Sequence, residues 1–539
     1  MIIFAKDIAY KNTKKIQHIE MKTFNTTGKC IPSLHYMVDI SHQVEAAAQL
    51  VRGGNYFCIN RGRQFGKTTT LSVLKNKLDK EGYSVFSLSF EGLDDEVFSS
   101  LSRLLYVSMY MMQSCVEWGN VHNLSKESAA VLREFKDNDS GELSSMKYSK
   151  LIGTLCMTSK VVVFIDEVDY AGNHQEFVQF LGLLRENFLN RDNRPAYQSV
   201  VLAGVYDVKN LKLKLRPDDQ HLYNSPWNIA VPFDTDMCLP AQGIADMLSE
   251  YMSDRKLQFD NISVARMIFD YTSGYPFLVS RICQIIDTCH YPWDKEGVLR
   301  ATHDLLVERN TLFDDMVKKL NEYPQLKDLL KAILFEGKKR SFYTDEKYLQ
   351  IGVMFNFIKN DCGNVAIVCR LVETRLYNLF IGENETARIF DMGQQDKNSF
   401  IYDGNIDMRL LLERFCRHFN EIYNPEKDEE FLERNGRMIF LTYLRPIING
   451  VGNYYCEAQT RDMTRTDVII DYLGKQYVVE LKIWRGNAYN ERGEKQLSDY
   501  LDYYNLNTGY MISFCFNKNK KSGINEVVIG DKKIIEAIV

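Results

Sequence analysis

The stretch Phe57-Cys-Ile-Asn-Arg-Gly-Arg-Gln-Phe-Gly-Lys-Thr-Thr69 decides the fold of this chain. It begins with a short apolar run that predicts a β-strand and continues through a loop into a helical pattern. The loop ends in Gly66, Lys67 and Thr68, and these residue types at a helix start bind phosphate groups and Mg²⁺. Arg61 stands where such a loop usually has its first glycine, so a Gly-Lys-Thr that merely opens a helix is the alternative.

A second apolar run, Val161-Val-Val-Phe-Ile165, is followed directly by Asp166 and Glu167. We expect Asp166 to face the water shell of the metal and Glu167 to polarise the water that attacks the terminal phosphate. The alternative is that the two acids cap a turn, although their order after the loop favours the catalytic interpretation. Asp207 is a candidate sensor of the terminal phosphate, whereas Arg216 is more easily explained as a solvated side chain than as an arginine finger.

Further predicted strands at Ser84–Phe90 and Ser199–Ala203 alternate with helical patterns. Uninterrupted apolar strands between helices indicate an α/β fold with a parallel sheet covered on both faces. The polar stretch 391–407, with two glycines, is typical of a linker. The patterns predict an N-terminal lead-in at 1–45, a nucleotide-binding core at 46–238, a helical lid at 239–300, a winged-helix-like unit at 301–390 and a C-terminal α/β domain at 405–539.

The sequence pattern leaves the fold of the unit at 301–390 open between two interpretations. Helices are predicted at Leu326–Phe335 and Asp345–Ile358, and Asn360-Asp-Cys-Gly363 predicts the turn of a β-hairpin. Helices followed by a hairpin are typical of a winged helix, and a generic helical connector with a hairpin explains the same pattern equally well.

The composition of the chain indicates an ordinary folded protein of several domains. It has 539 residues, 45% hydrophobic and 25% charged, and its formal net charge of −5 restricts any nucleic-acid binding to local basic patches. Its 12 cysteines lie mostly inside apolar stretches and include no Cys-x-x-Cys motif and no zinc-ligand spacing, which favours buried reduced thiols and a reducing, cytoplasmic location. An apolar stretch long enough to cross a membrane is lacking, so we expect no membrane partner.

A different constellation of polar residues lies near the C-terminus. Glu480 and Lys482 alternate with apolar residues in a predicted strand, and so they share one face of it. Asp467 lies on the preceding strand of a predicted hairpin, so it can lie beside Glu480, and Gln496 follows on a predicted helix. Two carboxylates that meet can bind Mg²⁺ or Mn²⁺, and a neighbouring lysine can orient a water or steady a phosphate. A surface Glu-x-Lys pair is the alternative, and the apolar setting weighs against it because buried charge is costly.

The first region resembles the bacterial AAA-like ATPases, close to the signal-transducing P-loop NTPases with numerous domains. The phosphate loop, Asn224–Phe233 and Gly274-Tyr-Pro276 carry the resemblance over residues 30–300, and arginine commonly replaces the first loop glycine in that family. The resemblance implies ATP as cofactor, Mg²⁺ held by Thr68 and Asp166, and Pro276 against the adenine. The implied cofactor-binding residues are Arg63, Gln64, Phe65, Gly66, Lys67, Thr68, Thr69, Asp166 and Pro276.

The second region, roughly 405–539, resembles the PD-(D/E)xK nuclease superfamily, whose members have a restriction-endonuclease-like α/β fold. Arg465-Thr-Asp467, Glu480-Leu-Lys482 and Gln496-Leu-Ser-Asp-Tyr500 carry this resemblance. It implies that Asp467 and Glu480 bind the metal and that Lys482 and Gln496 complete the catalytic set. A further acidic ligand on the first helix stays open between Glu433 and Glu457.

These patterns predict an enzyme that binds and hydrolyses ATP, with Glu167 as catalytic residue, and that cleaves nucleic acid under nucleotide control. DNA is favoured over RNA as the partner, and a role in bacterial defence fits. A non-catalytic, ATP-dependent binding or signalling switch is the alternative. The sequence leaves open whether the chain forms a homo-oligomer and whether an unidentified protein triggers it.

Overall fold

The computed structural model describes residues 21–539 except for several segments. The described part omits 138–140, 206–226, 337–339, 344, 383–387, 423–432, 449–451, 456–467, 484–492, 496, 499, 503 and 516–521. Among the described residues, no helix is both long and apolar enough to cross a bilayer.

The first domain is built on a five-stranded sheet with the order β4-β5-β6-β3-β7, and all its strand pairs are parallel. The apolar runs predicted as strands form its buried centre, which confirms the predicted α/β parallel sheet. Helices from the crossover connections cover the sheet, as parallel pairing requires. The elements are α1 (Ser41–Arg52), β3 (Phe57–Asn60), α2 (Lys67–Lys80), β4 (Ser84–Ser89), α3 (Leu101–Glu117), α4 (Lys126–Asp137), α5 (Ser145–Met157), β5 (Val161–Asp166), a 3₁₀ turn (Ala171–Asn173), α6 (Gln175–Leu189), β6 (Ser199–Gly204) and β7 (Val231–Pro232).

The residues before α1 pack against the lid. Strands β1 (Thr23–Phe24) and β2 (His35–Tyr36) pair in parallel. The ring of Phe24 lies 5.1 Å from that of Tyr251 and 6.0 Å from that of Trp293, both of which belong to the lid. The lid itself is helical, as predicted. Its helices are α7 (Ala241–Arg255), α8 (Asn261–Thr272), α9 (Pro276–Cys289) and α10 (Lys295–Val307), the last of which ends just beyond residue 300.

The unit at 301–390, hereafter the middle unit, contains the predicted helices and hairpin. The hairpin turns at Cys362 and Gly363, which both have positive φ, and its strands pair antiparallel. The second helix is shorter than predicted, because the chain has already left it before the strand that begins at Ile358. The elements are α11 (Thr311–Glu322), α12 (Pro324–Glu336), α13 (Lys347–Met354), β8 (Ile358–Asp361), β9 (Asn364–Ile367) and α14 (Arg370–Gly382).

The linker prediction for residues 391–407 is wrong. This stretch contains most of helix α15 (Arg388–Asp396) and a small hairpin of β10 (Ile401–Tyr402) and β11 (Asn405–Ile406). The two glycines that suggested a linker have structural roles. A side chain at Gly393 would lie 2.2 Å from a backbone oxygen of the neighbouring helix, and Gly404 has the positive φ of a hairpin turn.

The C-terminal domain is a mixed six-stranded sheet with the order β12-β13-β14-β15-β17-β16. Helix α17 covers one face, where Gly436 approaches Phe514, and the helical residues around Leu497 and Leu501 cover the other, where they approach Gly509. The predicted tight turn at Gly474 joins β13 to β14. The elements are α16 (Met408–Ile422), α17 (Glu433–Ile448), β12 (Gly452–Tyr455), β13 (Val468–Tyr472), β14 (Lys475–Ile483), β15 (Thr508–Phe514), β16 (Gly523–Ile529) and β17 (Lys532–Ile538).

Candidate functional site

The phosphate loop connects β3 to α2, as the sequence predicts. Gly66 precedes the helix with a φ of +80°, and Gln64 also has a positive φ, of 57°. Lys67 is only 6% exposed, and its Nζ donates to the backbone oxygens of Arg61 (2.9 Å) and Gly62 (3.0 Å). Burial lowers the pKa of Lys67, while the nearby carboxylates, first that of Glu167, act in the opposite direction. The ammonium is therefore held inside the loop, where a phosphate would neutralise it.

Thr68 and Asp166 meet at the carboxyl end of the sheet. The Thr68 hydroxyl donates to Asp166 Oδ2 at 2.8 Å. Two oxygen ligands at right angles on Mg²⁺, each about 2.1 Å from the ion, lie about 3 Å apart. The spacing of the two oxygens therefore fits one edge of the octahedron that Mg²⁺ requires.

Glu167 adopts a strained backbone beside this pair. Its φ is +54°, which is uncommon for a residue with a side chain, and its N–H donates to Asp166 Oδ1 at 3.0 Å. Burial raises the pKa of Glu167, and the Lys67 ammonium lowers it. A carboxylate with a raised pKa is a better proton acceptor for an attacking water.

Asp169 belongs to the same acidic turn, and the sequence prediction missed it. Its Oδ2 accepts a hydrogen bond of 2.6 Å from the N–H of Val205, at the end of β6. The carboxylate thus fastens the turn that carries Glu167 to the neighbouring strand. The signal was present in the sequence, because Asp169 is the third acid in the run Asp166-Glu-Val-Asp.

Arg61, which replaces the usual first glycine, points its side chain away from the loop. Its guanidinium donates to the backbone oxygens of Asn60 (2.9 Å), Phe233 (3.4 Å) and Thr235 (2.9 Å). Burial lowers its pKa. The arginine therefore holds the start of the loop against the segment after β7, which is a structural reason for the departure from glycine.

A cavity of about 340 Å³ lies beside the loop and provides space for a nucleotide base. Phe65 and Pro276, two of the predicted cofactor-binding residues, both line it, and Pro276 starts helix α9. The opposite wall comes from residues 25–40, which the sequence prediction treated as a lead-in. One of them, Cys30, donates its backbone N–H to Thr69 Oγ1 at 3.0 Å. The N-terminal segment is thus part of the candidate nucleotide site.

The two other predicted cofactor-binding side chains contact the middle unit. Gln64 Nε2 donates to Thr311 Oγ1 at 3.0 Å, and Arg63 Nε lies 3.8 Å from Asp315 Oδ2. Both partners belong to α11. The phosphate loop can still use the backbone N–H groups of these residues, so their side chains connect the loop to the next unit.

The structure describes only some of the predicted site residues in the C-terminal domain. Glu480, which is 1% exposed, and Lys482 lie on one face of β14, with 3.2 Å between Oε1 and Nζ. Asp467 and Gln496 lie outside the described residues, as do Glu457, Asp207 and Arg216. Glu433 opens helix α17, and its side chain is not among those described.

Two polar residues that the sequence prediction missed lie on the same face as Glu480 and Lys482. The parallel register places Ser513 opposite Lys482, and Met511 opposite both Glu480 and Glu536. Ser513 Oγ donates to Glu536 Oε1 at 2.6 Å, and both residues are buried. Within the described part of the chain, no group of three or more His, Cys, Asp or Glu residues is arranged to hold a metal ion.

Comparison with known proteins agrees with the loop geometry. The family described as AAA-like domain matches residues 29–374, which is more than half of the chain. The chain belongs to the AAA-like domain family. No curated protein sequence matches it.

Solved structures that match this chain do so at low sequence identity. A Walker-type ATPase of Pyrococcus abyssi has 13% identity and a TM-score of 0.44 over 66% of this chain and 99% of its own. The ORC2 protein of Aeropyrum pernix, in ADPNP and ADP complexes, has 12% identity and a TM-score of 0.31 over 64% and 93%. Cdc6p of Pyrobaculum aerophilum has 11% identity and a TM-score of 0.30 over 67% and 97%.

The limits of the family match agree with the contacts around the loop. The AAA-like domain begins before Cys30, in the wall of the cavity, and ends at Thr374 in α14. It therefore includes the lid and most of the middle unit. The C-terminal sheet lies beyond it.

Proposed function

We propose that the AAA-like domain binds ATP with Mg²⁺ and hydrolyses it. The observation that carries this proposal is the 2.8 Å spacing of Thr68 Oγ1 and Asp166 Oδ2 beside the buried ammonium of Lys67. Hydroxyl, carboxylate and ammonium are the groups that a metal–triphosphate complex requires.

Each residue of the nucleotide site has a distinct role in this proposal. Lys67 gives up its bonds to the loop carbonyls and donates to the β- and γ-phosphates, whose charge it neutralises. Thr68 and Asp166 would hold the Mg²⁺, which would offset the negative charge on the phosphates. Glu167 orients a water and accepts its proton, and Pro276 packs against the base in the cavity. Backbone N–H groups of residues 63–69 bind the remaining phosphate oxygens.

The test of the nucleotide site is the affinity for a fluorescent ATP analogue. Lys67→Ala should lose binding by at least about tenfold, because removal of an ion pair with phosphate costs more than about 1.4 kcal/mol. Lys75→Ala is the matched control, since Lys75 lies on the same helix and pairs with Asp79 at 2.9 Å. Equal affinity in wild type and Lys67→Ala would reject the site.

We further propose that the C-terminal domain is a metal-dependent nuclease that acts on DNA under the control of the bound nucleotide. The supporting observation is the burial of Glu480, Ser513 and Glu536 on one face of the sheet, with the partly buried Lys482 on the same face. Burial of charged groups costs free energy, and apolar residues would fill the same space without that cost. A purely structural role therefore explains these charged residues poorly.

In the proposed nuclease mechanism, the side chains of the protein supply charge to the metal and the phosphate and orient the attacking water. Glu480, together with Asp467, would hold the divalent ion, which polarises the scissile phosphate. Lys482 orients the attacking water or stabilises the pentavalent phosphate, and Gln496 donates a hydrogen bond to that water. The Glu480–Lys482 distance of 3.2 Å keeps the ammonium within reach of the carboxylate that it must assist.

Incubation with labelled single- and double-stranded DNA and RNA, with Mg²⁺ or Mn²⁺ and with or without ATP, tests the nuclease. Wild type should cut DNA, and Lys482→Ala and Asp467→Ala should not. Lys533→Ala is a matched control, because this half-exposed lysine pairs with Glu526 at the far side of the same sheet. Cutting that persists in both active-site variants would reject the site, and cutting of RNA alone would change the substrate.

A non-catalytic switch is the second candidate function. It is favoured by the direct pairing of Lys482 with Glu480, which offsets the charge of both groups without a metal. This function predicts ATP-dependent binding of nucleic acid without cleavage under any metal. The same incubation separates the two candidates.

A further inference from the structure

One turn of the lid contacts both the nucleotide site and the C-terminal sheet. This lid turn, residues Tyr271–Pro276, joins α8 to α9. At its end, Pro276 lines the cavity, and the hydroxyl of Tyr275 donates to the backbone oxygen of Arg63 at 2.6 Å. The ring of Tyr275 also packs edge-on against Phe65, with 4.7 Å between ring centres. The end of the turn is therefore fixed to the phosphate loop.

The start of the lid turn is fixed to the C-terminal sheet. The hydroxyl of Tyr271 donates to Asp471 Oδ2, on β13, at 3.0 Å. Its ring lies 5.1 Å from that of Tyr455 on β12, and the Arg370 guanidinium lies 5.9 Å from it. Arg370 in turn donates to the hydroxyl of Tyr504, just after the helical residues that cover Glu480 and Lys482.

Asp471 makes this contact sensitive to small movements. The side chain is 6% exposed, and among the described residues its Oδ1 has no hydrogen-bond partner. Tyr271 compensates part of the cost of burying this carboxylate, together with a hydrogen bond from Gln476 and the nearby charges of Lys295 and Arg370, so loss of the Tyr271 bond removes part of that compensation. A slight displacement of Tyr271 therefore changes the energy of the interface.

The turn between the two tyrosines is braced so that they move together. Leu239 N–H donates to the backbone oxygen of Gly274 at 2.8 Å, and Gly274 N–H donates to Thr272 Oγ1 at 3.2 Å. A Cβ on Gly274 would lie 2.2 Å from the backbone oxygen of Leu239, so the two segments are in close contact. Ser273 and Gly274 both have positive φ, which fixes the tight reversal of the chain.

We propose that the lid turn Tyr271–Pro276 couples nucleotide binding at the phosphate loop to the C-terminal sheet through the Tyr271–Asp471 contact. The proposal rests on the ATP site proposed above. A nucleotide that fills the cavity displaces Pro276 and the loop backbone at Arg63, and the braced turn carries this displacement to Tyr271. Because coupling is reciprocal, a change at Asp471 must also alter the affinity for nucleotide.

The reciprocity provides a test in the full-length protein. Tyr271→Phe removes the hydroxyl that Asp471 accepts and keeps the ring against Tyr455. We expect the dissociation constant of a non-hydrolysable ATP analogue to change by about fivefold or more, although Tyr271 does not line the cavity. Tyr291→Phe is the matched control, because Tyr291 also lies in the lid and donates to a carboxylate, Asp304 Oδ2, at 2.7 Å. Its affinity should equal that of wild type.

Amide hydrogen exchange gives the second readout. In wild type the ATP analogue should change the protection of the β13 amides, Val468–Tyr472, and in Tyr271→Phe this response should be lost. Retained folding of both variants is checked by circular dichroism. An unchanged affinity together with an unchanged β13 response in Tyr271→Phe would overturn the coupling.

The failure of the coupling and the failure of the proposed functions give different results. Absence of analogue binding in wild type would reject the nucleotide site and the coupling together. Binding with a normal β13 response and without cleavage would keep the coupling and reject the nuclease. Binding with β13 exchange that is identical with and without the analogue in wild type would reject the coupling alone.

Discussion

The contact between the phosphate loop and the middle unit can be broken by a single methyl group. A Cβ at Gly62 would lie 1.9 Å from Asn356 Nδ2 and 2.7 Å from Asn356 Cγ, well inside van der Waals contact. The φ angle of Gly62 is not in the positive range, so alanine meets no backbone penalty there. The cost of Gly62→Ala is therefore the displacement of Asn356, which is itself buried and donates to the hydroxyl of Tyr275 at 3.2 Å.

The size of this cost follows from two contributions. An extra methyl in a well-packed site costs about 1–3 kcal/mol. The lost Asn356–Tyr275 hydrogen bond adds about 1 kcal/mol. Gly62→Ala should therefore destabilise the AAA-like domain by about 2–4 kcal/mol, which for a domain of this size lowers Tm by roughly 3–6 °C. It should also weaken ATP binding, because the displaced loop no longer presents its N–H groups correctly.

Differential scanning fluorimetry and analogue binding measure both effects. Asn356→Gly should restore most of the stability when it is combined with Gly62→Ala, because it removes the clashing atoms and suits the φ of +57° at that position. Gly153→Ala is the control, since its Cβ would meet only Pro195 O at 3.7 Å, and alanine should be neutral or stabilising in that helix. A Gly62→Ala protein with the Tm of wild type, or a double variant no more stable than the single one, would refute the reasoning.

Three further changes test other parts of the structure. Glu167→Gln should bind ATP like wild type and hydrolyse it about 10²-fold more slowly, measured as phosphate release, and undiminished turnover would assign the water to another residue. Arg61→Gly restores the usual loop glycine and should nevertheless lower Tm, because it removes three hydrogen bonds to backbone oxygens. Burial raises the pKa of Asp471 to about 6. The folded state therefore binds more protons than the unfolded state between about pH 4 and 6. The free energy of unfolding should fall by up to about 3 kcal/mol as the pH rises through that window. Asp471→Asn should flatten this pH dependence, measured by urea titrations at several pH values.

The sequence was sufficient to predict the first sheet and its phosphate loop, because both depend on local patterns. Runs of three to five consecutive apolar residues, such as Phe57–Ile59 and Val161–Ile165, specify buried parallel strands, and Gly66-Lys67-Thr68 specifies the helix start that follows the first of them. The position of Asp166 beside Thr68 followed from a general property of parallel sheets, whose strand ends meet at one edge.

Residues that act through distant contacts escaped prediction. The pairing of Cys30 with Thr69 and that of Tyr271 with Asp471 join segments 39 and 200 residues apart, and periodicity contains no information on such distances. The two glycines within residues 391–407 led to the wrong prediction of a linker for a related reason. Gly393 is required by the close approach of another helix, and a sequence pattern does not distinguish that requirement from a flexible link.

The backbone and the side chains of the phosphate loop have different roles, which explains why its side chains differ from the usual pattern. In the proposed site the phosphate oxygens would use the backbone N–H groups and the Lys67 ammonium, and the Thr68 hydroxyl would bind Mg²⁺, so the side chains of residues 61–64 are not required for these contacts. In this chain they are used for contacts between units: Arg61 with the segment after β7, and Arg63 and Gln64 with α11. A loop built this way cannot change shape around a nucleotide without moving the units attached to it. If the domain binds ATP as proposed, a shift of the loop backbone would therefore displace the segment after β7 and helix α11.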